Sequence, residues 1–171
     1  MELKFKIGEY VRYCINGVCL IDDIREMDIL GDGNNKMFYV LSPVSRQSST
    51  ISVPADNDTL TSKMEPLLSK EDIDSLIDGI ETNVLEWTDD KKRRTEFFKS
   101  IIKDCDRQSL LSLIDCLYKR RAVLLESGKN LSSGDEAFLN QAEGVIQDEF
   151  SFVLEIGKER VSDYIKQRLN K

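Results

Sequence analysis

The chain has 171 residues, of which 24 are Lys or Arg and 31 are Asp or Glu, giving a formal net charge of −7. With 40% apolar and 32% charged residues it has the composition of an ordinary globular protein, not of a disordered, fibrous or membrane chain. It contains no His, which excludes Ser-His-Asp and Cys-His nucleophiles, His-containing zinc sites and any imidazole base. The length allows one or two small domains that fold without a disulfide or metal. Cys14, Cys19, Cys105 and Cys116 form no Cys-x-x-Cys pair and read as reduced core residues. The start Met1-Glu2-Leu3-Lys4 lacks an apolar signal region and no charge-free stretch exceeds nine residues, so a cytoplasmic protein without a membrane span is expected.

Residues 1–66 alternate as strands do, and residues 67–171 repeat apolar residues every three or four positions, which predicts a β domain followed by a helical one. Glu9 to Cys14 and Val18 to about Asp28 flank Ile15-Asn16-Gly17, and the Asn-Gly pair predicts a hairpin because both residues tolerate positive φ. Leu30 to Asn35 is a loop by composition, and its acids lack the spacing of a calcium loop. Met37 to Leu41 reads as a buried strand, and Thr50 to Val53 as another ending at Pro54. Four or five short strands in so few residues predict a small β barrel.

Ser69-Lys70-Glu71-Asp72 is a capping box with Asp in the place of Glu, and it opens a helix over about 70–81. Thr88 or Asp89 caps a second helix through Phe97, Phe98, Ile101 and Ile102. Asp106 caps a third through Leu110 to Tyr118, ending near Gly128. Ser132-Ser133-Gly134-Asp135 opens a fourth that runs to Gly157, and Glu159 to Leu169 makes a short fifth. The expected second domain is a five-helix bundle.

Charge is concentrated locally. Residues 67–90 hold one Lys against eight acids, whereas residues 91–121 hold ten Lys or Arg against four acids. The basic block includes Lys91-Lys92-Arg93-Arg94 and Lys119-Arg120-Arg121, a band that either meets phosphates or is a solvated face balanced by nearby acids. Trp87, the single tryptophan, lies just before this block between two predicted helices. Such a ring either fills the core or, if exposed beside cations, inserts at a base step in the minor groove. Paired acids at Asp22-Asp23, Asp89-Asp90 and Asp104-x-Asp106 lack the geometry of a catalytic dyad, and Gly31-x-Gly33 is no dinucleotide fingerprint. No enzymatic activity, cofactor or metal is expected.

The ordered set Phe5-Lys6-Ile7-Gly8-Glu9-Tyr10-Val11-x-Tyr13, Asn16-Gly17-Val18, Phe38-Tyr39-Val40-Leu41 and Ile51-Ser52-Val53-Pro54-Ala55-Asp56-Asn57 resembles the CarD/CdnL family of bacterial RNA polymerase-binding transcription regulators. Their N-terminal domain is shared with the transcription-repair coupling factor. The likeness continues through Trp87, Leu113-x3-Leu117-Tyr118-x-Arg120-Arg121, Gly128-Lys129-Asn130-Leu131-Ser132-Ser133-x-Asp135, Ala142-Glu143 and Glu149-Phe150. It implies a Tudor-like barrel that docks on the RNA polymerase β subunit by edge-strand pairing, and a helical domain that contacts promoter DNA weakly and only with the polymerase. The implied polymerase-binding residues are Arg25, Met27, Arg46, Ile51, Ser52, Val53 and Pro54. The implied DNA-binding residues are Trp87, wedged into the minor groove at the upstream edge of the bubble, with Lys91, Lys92, Arg93, Arg94, Lys119, Arg120 and Arg121.

Two departures stand out. Relatives carry arginines where this chain has Met27 and Ser52, which leaves Arg25 and Arg46 as the nearby cations. They often carry basic residues where this chain has Asp89 and Asp90. The alternative is an adaptor that docks on RNA polymerase or another partner and touches only protein, its basic band meeting an acidic surface. A solvent-facing indole on the side of Lys92 and Arg121 favours DNA, and a buried one favours the adaptor.

Overall fold

A computed structural model describes residues 1–170. The chain divides into two compact units, Met1–Leu67 and Leu68–Lys171. In the first, strands β1 (Tyr10–Tyr13), β2 (Val18–Met27), β3 (Lys36–Pro43), β4 (Ile51–Pro54) and β5 (Met64–Pro66) form one antiparallel sheet in the order β4-β3-β2-β1-β5. Period-2 alternation sends Val11, Tyr13, Cys19, Ile21, Tyr39, Leu41, Val53 and Met64 into one cluster, joined by Phe5. A bulge between Ile21 and Asp23 bends β2, so that both outer strands supply side chains to the same core.

The sheet is consistent with a Tudor-like domain, but it is open where the sequence predicts a closed barrel, because β4 and β5 do not pair with each other. The intervening residues form instead a single helical turn, α1 (Asp58–Thr61), whose N-cap Asn57 accepts a hydrogen bond from the Leu60 amide at 3.1 Å. Leu60 packs on the core cluster. The first hairpin also differs from expectation. Cys14–Asn16 is a 3-10 turn, so positive φ falls on Cys14 (48°) and Gly17 (73°) and not on Asn16. The β2–β3 loop is held by the Asp28 carboxylate, which accepts from the amides of Gly31, Asp32 and Gly33 at 2.7, 3.2 and 2.9 Å.

The second unit holds five helices, α2 (Lys70–Asp78), α3 (Lys91–Asp104), α4 (Arg107–Glu126), α5 (Ser133–Leu154) and α6 (Lys158–Leu169), so with α1 the chain has six among the described residues. Their starts follow local chemistry. Ser69 and Asp72 make a reciprocal capping box, and Asp90, Asp106 and Ser132 accept from the third amide of their helices, each cap contributing about 1 kcal/mol. Helix α4 is central, burying residues on several faces between Leu110 and Leu117 and packing on α2, α3 and α5. Inside the unit, Arg107 grips Glu149 of α5 with two hydrogen bonds of 2.7 Å, and Glu149 also accepts from the Leu68 amide at 3.2 Å. Among the described residues no helix is long and apolar enough to cross a membrane.

Candidate nucleic-acid interface

Trp87 lies in the loop between α2 and α3, its indole half-buried. Position 94 is one helical turn before Phe98 and two before Ile101, so its side chain falls on the inward face of α3. Arg94 is accordingly buried at 7% exposure. Its guanidinium forms a fork with Asp135 of α5 at 3.1 and 3.2 Å, donates to the Thr88 carbonyl at 2.9 Å, and lies 4.2 Å from the indole centroid. Arg120 of α4 brings a second guanidinium to 4.9 Å from the same ring. Phe98 meets the ring at 6.4 Å in a tilted contact, and the indole Nε1 donates to Asp89 at 3.1 Å. The ring is thereby fixed in place without being enclosed.

The expected cationic band separates into two kinds of residue. Arg94 is a correction: its charge is matched by a buried carboxylate and it is a support for Trp87, not a phosphate ligand. On α4, Lys119 pairs with Asp115 at 2.7 Å, Arg121 pairs with Glu136 at 2.7 Å, and Arg120 lies 4.0 Å from the exposed Asp89. By contrast Lys91, Lys92 and Arg93 are exposed and make no ion pair among the described residues. They occupy the whole first turn of α3, which contains no acid, so three cations stand at the positive end of the helix dipole. Each placement of that kind costs about 0.3–1 kcal/mol. Asp90, the cap of the same helix, sets one carboxylate against this end, and the three side chains stay outside any ion pair among the described residues, as a surface that meets an anion requires.

In the first unit, Ile51–Pro54 form β4, an outer strand of the sheet. Ser52 is exposed and Ile51 and Pro54 are half-buried, whereas Val53 belongs to the core at 1% exposure. Val53 therefore offers a partner only its backbone, the part that edge-strand pairing uses. Arg25 and Met27 are on β2, two strands inward. Arg25 faces Phe38, which in turn faces Pro54, and it pairs with Asp23 at 3.6 Å. Arg46 lies in the β3–β4 connection and donates to Asn16 at 3.1 Å. The two arginines thus flank β4 near its opposite ends, with Met27 half-buried beside the Arg25 end.

Phe98 lies close enough in sequence to Trp87 to be read as a cover for the ring, whereas sequence reasoning missed Asp135 and Asp89 as residues that position the indole. The spacing of Arg94, Phe98 and Ile101 was the available signal, since it puts an arginine on an apolar face that must supply a buried acceptor.

The first unit is thus an open antiparallel sheet with β4 at one edge, and the second is a helical unit that holds an aromatic ring among cations. Residues 5–67 match the family model described as CarD-like/TRCF RID domain. The match runs through nearly the whole first unit, which is thus similar to a CarD-like/TRCF RID domain. No curated protein matches the chain.

Proposed function

We infer that the chain is a non-enzymatic transcription regulator that docks on the RNA polymerase β subunit through the β4 edge and modulates the stability of the open promoter complex. The reading of the second unit rests on one observation above the others: Lys91, Lys92 and Arg93 stand exposed, in no ion pair among the described residues, at the positive end of α3. In the β4 contact, backbone pairing supplies affinity, and exposed Ser52 with half-buried Ile51 and Pro54 supplies choice. The three cations meet phosphates beside the groove, while Trp87, held by Arg94 and Arg120, presents its open edge to a base step. A factor that binds the open complex more tightly than the closed one raises the open population by that differential affinity and no more.

Asp89 favours the second reading, an adaptor that touches only protein, because its side chain is 91% exposed beside the indole and repels phosphate. Trp87→Ala separates the two. Loss of a stacked ring, worth about 1–3 kcal/mol, shortens open-complex lifetime by about tenfold while polymerase affinity stays unchanged. Equal lifetimes for the wild type and the variant overturn the wedge and leave the adaptor.

A further inference from the structure

Val161, Ile165 and Leu169 recur every fourth residue along α6 and so share one face, which lines a cavity of about 200 Å³ between α4, α5 and α6. Leu111 and Ile114 of α4 and Ile146 of α5 complete the apolar wall. Val161 is buried at 1% exposure, whereas Ile165 and Leu169 are only half-buried, so the cavity opens toward the C-terminal half of α6. An apolar hollow of about 150 Å³ stays dry and accepts benzene, so this one has room for a chain of roughly six to eight carbons. Water gains little by entering, because it needs two to four polar partners and the wall is mostly hydrocarbon.

Three charged side chains also line the cavity, and they are not equivalent. Asp115 of α4 pairs with Lys119 at 2.7 Å. Glu143 of α5 accepts a hydrogen bond from the Tyr118 hydroxyl. Lys166 of α6 is exposed and in no ion pair among the described residues, whereas Lys158 and Arg168 of the same helix pair with Asp148 and Asp78. Its ammonium lies 6.0 Å from the centroid of the Tyr118 ring, which itself lines the cavity. Gln147 of α5 adds an amide that can donate. An apolar interior with one unmatched cation and an amide donor beside it is complementary to an anion carried on a hydrocarbon chain. Lys suits this task, since its ammonium is a compact charge on a flexible stem that can follow the head group.

We propose that this cavity binds an aliphatic monocarboxylate of medium chain length: the chain lies against Ile146, Ile165 and Leu169, and the carboxylate meets the Lys166 ammonium and the Gln147 amide. No residue of β4, of the first turn of α3 or of the Trp87 surroundings lines the cavity, so loss of this binding leaves polymerase docking and the promoter contact intact, and the reverse.

The test is a titration of the ¹⁵N-labelled full chain with octanoate, octanol and octylamine, each kept below its aggregation concentration. Octanoate produces saturable amide shifts centred on residues 111–118, 143–147 and 161–169 and raises the melting temperature, as a ligand of the folded state does. Octanol and octylamine bind about threefold to fivefold more weakly, for want of one exposed ion pair. Lys166→Met, at an exposed position where an apolar stem is kept, weakens octanoate by the same factor and leaves octanol unchanged. Acetate, a head group without the chain, produces no shifts there. Octanol binding as tightly as octanoate reduces the cavity to an unselective apolar hollow and overturns the proposal. So does octylamine binding more tightly than octanoate, which assigns the opening to Asp115 and Glu143. The absence of saturable shifts with octanoate, or an unchanged octanoate affinity in Lys166→Met, overturns it as well.

Discussion

A guanidinium taken out of water must find acceptors, and Arg94 finds two, the Asp135 carboxylate and the Thr88 carbonyl. Removing it strands Asp135, itself 4% exposed, so Arg94→Met costs about 3–5 kcal/mol in denaturant unfolding, whereas exposed Lys91→Ala costs nothing. The same variant removes the nearer of the two cations over the single indole, so Trp87 fluorescence shifts in the folded state. The charge run in the sequence grouped Arg94 with its three neighbours, and only helical periodicity distinguishes it from them. Two tyrosines behave comparably. Burial and the hydrogen bond to Glu143 push the Tyr118 pKa up to about 12, and the hydrogen bond to Asp74 with burial does the same for Tyr164. Both folded values lie above the unfolded value of about 10, so the folded state holds these protons longer. Their stabilising contribution is therefore whole below about pH 10 and is lost as the pH rises through about 12. Phenolate absorbance registers these two tyrosines ionising only near pH 12 in the folded protein, and Tyr118→Phe with Tyr164→Phe removes their share of the alkaline loss of stability, leaving that of Tyr13 and Cys116, which burial also pushes up.

Helix α3 carries charges of the unfavourable sign at both ends, three cations in its first turn and Asp104 in its last, beside Asp90 at the cap and Lys103 in the last turn, which have the favourable sign. Replacing Lys91, Lys92 and Arg93 together by Ala relieves about 0.3–1 kcal/mol per charge and raises the melting temperature. In the promoter complex the same change flattens the salt dependence of stability by about 0.9 in log–log slope for each phosphate that is no longer neutralised. A gain in stability paired with a flatter salt dependence identifies a binding turn, while an unchanged slope means the cations face no DNA. The helices themselves were legible because their caps are local: Ser69 with Asp72, then Asp106 and Ser132, each satisfy amides within three residues. The exact cap of α3 was not, since Thr88, Asp89 and Asp90 are all competent and only the fold selects Asp90. Strand β5 and helix α1, three and four residues long, are too short to carry a period and owe their form to the core that Met64 and Leu60 join.

At the scale of the whole chain, the first unit has its own core, formed by side chains from all five strands. A fragment of residues 1–67 is therefore expected to fold, with a cooperative thermal transition, and to capture RNA polymerase in a pull-down, while a fragment of residues 68–171 does not capture it. A folded first fragment that leaves the polymerase behind removes the docking role. Closure of the sheet was beyond sequence reasoning, because it depends on whether β4 and β5, separated by the α1 turn, meet in space, and no local signal encodes that pairing. The open ladder has a consequence for colloidal behaviour. Both outermost strands end in proline, Pro54 and Pro66, which lack the amide that a neighbouring backbone would need. A second molecule that added itself alongside would run out of donors within a few residues, so runaway fibre growth is checked at each margin while a short foreign segment still fits.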